Sequence, residues 1–163
     1  MKVLGIDPGL SGGLAFNSGD TLRVFATPTI QTQFVKNGKK KTRSDMNLSE
    51  VVRLIRENRP DVAYIEKVAA MKGQGVTGMF RFGQNFGQWQ GILAALGIRL
   101  IMVTPQVWKK QFQLNRDKDA SLDLARKLFP NNLESFRLKK HDGLAEAALI
   151  RKYGFQEEIT IIV

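Results

Sequence analysis

Two short apolar runs in this chain each end in a carboxylate: Val3-Leu4-Gly5-Ile6 leads into Asp7, and Val62-Ala63-Tyr64-Ile65 leads into Glu66. Runs of this length bounded by turn residues mark buried strands. A carboxylate at the end of such a strand is costly unless something compensates its charge, and a cation is one such partner. In α/β architectures, sites collect at strand ends. The two acids therefore bear on the fold and on its chemistry at once.

The remaining segments fit the same class. Ser11 to Phe16 and Leu22 to Ala26 follow the first strand, with Asn17-Ser18-Gly19-Asp20 as a hairpin-type turn between them. Three linked strands of this kind make an antiparallel meander. Gln31 to Met46 is polar and carries Lys36, Lys39, Lys40, Lys41 and Arg43, which predicts a mobile basic loop. Asn47 with Glu50 three residues on forms a relaxed capping box for a helix that Asn58-Arg59-Pro60 stops. After Glu66 come a glycine-bearing loop, a long helix from Met79 to Leu96, and a strand from Ile98 to Val103. A short helix starts at Pro105, and Asp117 or Asp119 opens the next, which ends at Pro130. A final helix is expected from about Lys140 to Tyr153, and Glu157 to Val163 reads as a further strand. The expected order is β-β-β-α-β-α-β-α-α-α, a single α/β domain over residues 1–163.

Composition narrows the partners. Lys and Arg total 25 against 15 Asp and Glu, a formal charge of +10. That excess favours a polyanion, because basic side chains displace the counterions condensed on phosphate. There is no cysteine, so thiolate–metal chemistry is excluded. No apolar run approaches the roughly 20 residues of a membrane helix. These features point to a cytosolic protein.

Asp142 and Glu146 stand four apart on the last predicted helix and so share a face. Leu144, Ala145, Ala147, Ala148, Leu149 and Ile150 occupy most of the remaining circumference, so the helix is packed on several sides. Like charges at this spacing repel mildly, and a divalent ion between them and the strand-end acids reverses the sign. Hard oxygen donors favour Mg²⁺, with Mn²⁺ as a substitute. Two such ions can activate water and stabilise the leaving oxygen in phosphodiester cleavage. Asp142 alone also fits a helix N-cap. His141, the only histidine, points about 140° away from Glu146 on an ideal helix, and is a rival ligand, a proton carrier or a plain surface residue.

Five segments in order resemble the RuvC family of Holliday-junction resolvases, and in particular its small phage-type members. They are Gly5-Ile6-Asp7-Pro8-Gly9 with Gly12-Gly13, Ile65-Glu66-Lys67-Val68, Met79-Phe80-Arg81-Phe82-Gly83, Thr104-Pro105-Gln106-Val107-Trp108-Lys109-Lys110, and His141-Asp142-Gly143-Leu144-Ala145-Glu146-Ala147. The resemblance implies an RNase H-like fold with a mixed five-stranded sheet: three antiparallel N-terminal strands, then parallel strands, flanked by helices. It also implies a homodimer that nicks four-way DNA junctions symmetrically with Mg²⁺, in a bacterial or phage-infected cytosol. The family's acidic ligands carry over as Asp7, Glu66 and an acidic pair on the last helix. That pair departs from the family's usual spacing, and Asp142 with Glu146 fits it here. Relatives often carry a junction wedge, an aromatic, shortly after the second acid, where this chain has Ala69 and Ala70. Met71, Phe80 or Phe82 are alternatives, although packing of the long helix is the simpler expectation for both phenylalanines.

Several basic residues suit phosphate contacts: Lys36, Lys39, Lys40, Lys41 and Arg43 in the loop, Lys67, Lys72 and Arg81 beside the acids, and Lys109, Lys110, Lys139 and Lys140 further on. Gly83, Gly87 and Gly91 recur along one stripe of the long helix, each costing about 1 kcal/mol relative to alanine. Close approach of another backbone explains them, either within the chain or across a dimer. Rival readings are a broader debranching nuclease acting on flaps and forks, an actin-like ATPase using the Asp7-Pro8-Gly9 turn, and a DNA-binding module without catalysis.

Overall fold

A computed structural model of the chain describes residues 1–18, 21–69, 73, 75–114 and 118–162. Strands β1 (Val3–Asp7), β2 (Gly13–Ser18) and β3 (Thr21–Ala26) form the expected meander. A separate ribbon of β4 (Thr29–Lys36) and β5 (Lys39–Met46) comes next, then α1 (Leu48–Asn58), β6 (Val62–Glu66), α2 (Val76–Ala95) and β7 (Arg99–Val103). Helices α3 (Pro105–Gln111), α4 (Lys118–Leu128) and α5 (Asp142–Ile162) complete the chain, with 3₁₀ segments at Pro130–Phe136 and Lys139–His141.

The main sheet has the order β3-β2-β1-β6-β7. Strand β1 lies at its centre, antiparallel to β2 and parallel to β6, which explains why its residues are apolar on both faces. Strand alternation then sorts the side chains. Leu4, Ile6, Ala63 and Ile65 face α1 and α2, where they pack with Val51, Ile55, Trp89 and Leu93. Val3, Val62 and Tyr64 face the other way, against Leu149, Ile150 and Tyr153 of α5. Asp7 and Glu66 share the parity of Val3 and Tyr64, so both turn to the α5 side. This mixed, helix-flanked sheet is the architecture expected from the sequence.

Helix α5 lies unusually close to β1 because Gly5 has no side chain. A methyl there would overlap the Ala147 carbonyl oxygen and the Arg151 amide. Gly154 allows the same approach to the Tyr64 ring.

Three expectations are corrected. Gln31 to Met46 is a regular hairpin and not a mobile loop, with eight cross-strand pairs from Thr29↔Met46 to Lys36↔Lys39. Its two-residue turn places Asn37 at φ 53 and Gly38 at φ 72, the left-handed pair that hairpins of this length require. Glu157 to Ile162 continues α5 and is not a strand. Buried Glu158 anchors it by accepting from the Tyr64 hydroxyl (2.9 Å) and from Arg99 (2.6 Å), so tertiary contact overrides the β-branched composition. Phe80 does not pack beneath α2: it is 75% exposed. Asp117, Ala70, Met71 and Lys72 lie outside the described residues.

Candidate active site

Asp7 ends β1 and turns toward the start of α5. Its Oδ1 accepts weakly from the Gly9 amide at 3.4 Å, and Gly143 stands close enough that a β-carbon there would lie 2.8 Å from Asp7 Oδ2. Burial is the main reason that its pKa is pushed up to about 7, and the negative fields of Glu146, Glu66 and Asp142 add to the rise. The structure thus gathers all four sequence-predicted acids into one electrostatic neighbourhood. A buried carboxylate in the field of three others favours its protonated form or a positive partner.

The other acids are held individually. Glu66 accepts a 2.8 Å hydrogen bond from the indole of Trp108, a fully buried residue of α3. Burial raises the Glu66 pKa and the neighbouring Glu146 adds to this, while the Trp108 bond and the Lys109 charge oppose it. Glu146 accepts from Lys109 Nζ at 2.7 Å and from Ser121 Oγ at 3.3 Å. The same ammonium lies 5.0 Å from the centre of the Trp108 ring. Asp142 is the first residue of α5, and its Oδ1 accepts from the next amide, at Gly143 (2.9 Å), the local cap-like role also open to it in the sequence. Among the described residues, no three His, Asp or Glu side chains converge on one coordination shell. The carboxylates feel one another, but Glu66 is drawn to Trp108 and Glu146 to Lys109.

His141 stands apart from this group. It lies in the 3₁₀ turn before α5, and its Nδ1 faces the Leu138 amide at 3.4 Å. Lys109, expected on a DNA-facing surface, instead supplies the positive charge at Glu146. Arg81 donates to the Ser44 carbonyl (2.7 Å) and to Asp45 (3.0 Å), tying α2 to the ribbon. Lys139 pairs with Asp119. Lys67 is exposed beside a cavity of about 420 Å³ that Glu66, Phe82, Pro105 and Gln106 also line. Lys110 and Lys140 are exposed. Trp108 and Ser121 escaped the sequence reading; the only signal for Trp108 was its place within the Thr104 to Lys110 segment.

No family model matches the chain. Its structure superposes on that of Thermus thermophilus RuvC with a TM-score of 0.62, over 97% of each chain at 14% identity. A second structure, Thermus thermophilus RuvC in complex with Holliday junction substrate, gives 0.63 over 96% of each chain, also at 14% identity. The fold is that of RuvC. In sequence, 89 residues, 53% of this chain, are 35% identical to a chloroplastic Holliday junction resolvase of Chlamydomonas reinhardtii. The matched stretch is 10% of that relative's length. On the RuvC fold, the four acids here sit where the central strands meet the start of the last helix, with α3 supplying Trp108 and Lys109 beside them.

Proposed function

We propose that the chain is an Mg²⁺-dependent endonuclease that resolves Holliday junctions and related branched DNA by paired symmetric nicks. One observation carries the reading: Asp7 is buried in the negative field of Glu146, Glu66 and Asp142. All four are hard oxygen donors, the chemistry a divalent ion takes, and sharing one requires Glu66 to turn from Trp108 and Glu146 from Lys109. Asp7 and Glu66 would hold it from the strands, and Asp142 and Glu146 from α5. Bound there as a pair, Mg²⁺ or Mn²⁺ would supply Lewis acidity for phosphodiester hydrolysis. Trp108 orients Glu66, and Lys109 balances Glu146 while steering phosphate toward the acids. The excess of basic residues and the RuvC fold support DNA as the substrate.

The functional unit in this reading is a homodimer, since paired nicks need two sites related by a two-fold axis. Val76, Phe80, Gly83, Gly87 and Gly91 form one exposed stripe of α2, and nothing among the described residues lies within 4 Å of a β-carbon built on any of the three glycines. Packing against the described residues therefore does not account for them; in this reading a second copy of the helix does.

The test incubates labelled four-way, flap, fork and linear duplex DNA with the protein in Mg²⁺, Mn²⁺ or EDTA. Paired nicks at symmetry-related positions of the four-way junction are expected with either metal and none in EDTA. Linear duplex cut as fast as the junction would overturn structure selectivity, and flaps cut at the junction's rate would establish the broader debranching activity.

A further inference from the structure

We infer that the β4–β5 ribbon is a preformed arm that grips the phosphate backbone of a DNA duplex through one of its two faces. The inference deepens the DNA reading above and rests on it. Cross-strand partners share a face, so the register places Lys36, Lys39, Lys41 and Arg43 together with Phe34 on one side. Gln31, Gln33, Thr42 and Ser44 lie on the other, with Val35 and Lys40. The ribbon is therefore two-sided: four cations on one face, one on the opposite face.

The cationic face is poorly balanced by the protein itself. Lys36 stands directly opposite Lys39, and like charges so placed destabilise a hairpin. The one acid of the ribbon, Asp45, lies at its root and is engaged by Arg43 (2.9 Å) and Arg81 (3.0 Å). The guanidinium of Arg43 also lies 5.3 Å from the centre of the Phe34 ring, which fixes the middle of the face. A polyanion turns this repulsion into attraction. The side chains are mainly lysines, which suit backbone gripping more than base reading.

The root of the ribbon joins its location to the acids. The Thr27 hydroxyl donates to the Gly9 carbonyl (2.9 Å) and the Thr27 amide to the Gly12 carbonyl (3.1 Å), both in the turn that follows Asp7. On the other strand, Arg81 clamps Ser44 and Asp45, and its neighbour Phe82 lines the cavity beside Glu66. The ribbon thus springs from the rim of the acidic site. Strands of eight residues reach about 26 Å at roughly 3.3 Å per residue. That span follows a duplex for several base pairs, and a two-stranded ribbon also fits a major groove about 12 Å wide.

The experiment measures equilibrium binding of the full chain to a labelled four-way junction in EDTA, across a salt series. It compares Lys41→Gln with Lys40→Gln, adjacent residues on opposite faces, and adds the triple variant Lys36→Gln/Lys39→Gln/Lys41→Gln. Lys41→Gln should reduce the slope of log K against log salt by about 0.9, and the triple variant by about 2.7. Lys40→Gln should leave the slope unchanged. Equal effects of Lys40→Gln and Lys41→Gln, or an unchanged slope in the triple variant, overturn the arm. Cleavage in Mg²⁺, run in parallel, separates the two ideas. A protein that binds through this face without cutting branched DNA refutes the nuclease reading alone. One that cuts normally while ignoring the ribbon's charge refutes the arm alone.

Discussion

Asp7 connects the strongest physical signal in the molecule to the strongest one in the sequence. A carboxylate whose folded-state pKa is raised from 3.8 to about 7 binds its proton more tightly in the folded than in the unfolded chain. The contribution of Asp7 to metal-free stability is then greatest below about pH 4, falls as pH rises toward about 7, and is level above that. The difference is on the order of 4 kcal/mol at most, since one pKa unit corresponds to about 1.4 kcal/mol. Asp7→Asn should therefore raise the melting temperature in EDTA at pH 8 by several degrees and flatten its pH dependence. The same substitution should lower Mg²⁺-dependent junction cleavage at least about 100-fold, because it removes a ligand charge. Melting curves at pH 5 and pH 8 together with a cleavage assay check both, and a destabilised Asp7→Asn protein in EDTA would refute the electrostatic account. The strand-end position of Asp7 and Glu66 was legible from their apolar runs. The indole held against Glu66 and the ammonium held against Glu146 were not, because the Thr104 to Lys110 segment marked Trp108 only as part of a resemblance and Lys109 only as a candidate phosphate contact.

Elements differ in how openly the sequence declares them. Strands β1 and β6 stand out because both of their faces are buried and their apolar runs are unbroken. The β4–β5 ribbon hides because, beyond Met46 at its root, neither face is buried in the core, so no apolar alternation survives; only Asn37-Gly38 marks its turn. At the other end of the chain, Ile159-Thr160-Ile161-Ile162 suggests a strand by composition, yet the Glu158 contacts with Tyr64 and Arg99 carry α5 through it. The packing of α5 on β1 supports a prediction at this scale. Gly5→Ala forces a methyl into the backbone of Ala147 and Arg151, so α5 must leave the sheet. A loss of about 3 kcal/mol or more is expected. Gly83→Ala, placed in open space on a helix, should instead stabilise the monomer by up to about 1 kcal/mol. Chemical denaturation of the two variants measures the contrast, and similar stabilities would contradict the close α5–β1 contact.

For the whole molecule, the open stripe on α2 bears on assembly. Gly87→Arg places a long cation where the proposed dimer brings two helices together, while no described residue of the same chain stands in its way. The variant should sediment as a monomer at micromolar concentration with its melting curve nearly intact, and should make single nicks in place of paired ones. Sedimentation velocity and a junction assay read both, and an undisturbed dimer would move the interface elsewhere. The sequence by itself determined the class of fold and singled out the candidate acids, because apolar runs, strand-end acids and an Asp-x-x-x-Glu pair on an apolar helix are local patterns. Tertiary structure decided what those residues face. It brought Asp142 and Glu146 to the β1–β6 edge through the Gly5 and Gly143 contacts, moved Lys109 into the site, and stood the basic segment up as a ribbon. Those outcomes depend on which surfaces meet across the sheet. The energy of that meeting is not carried by any single segment of the chain.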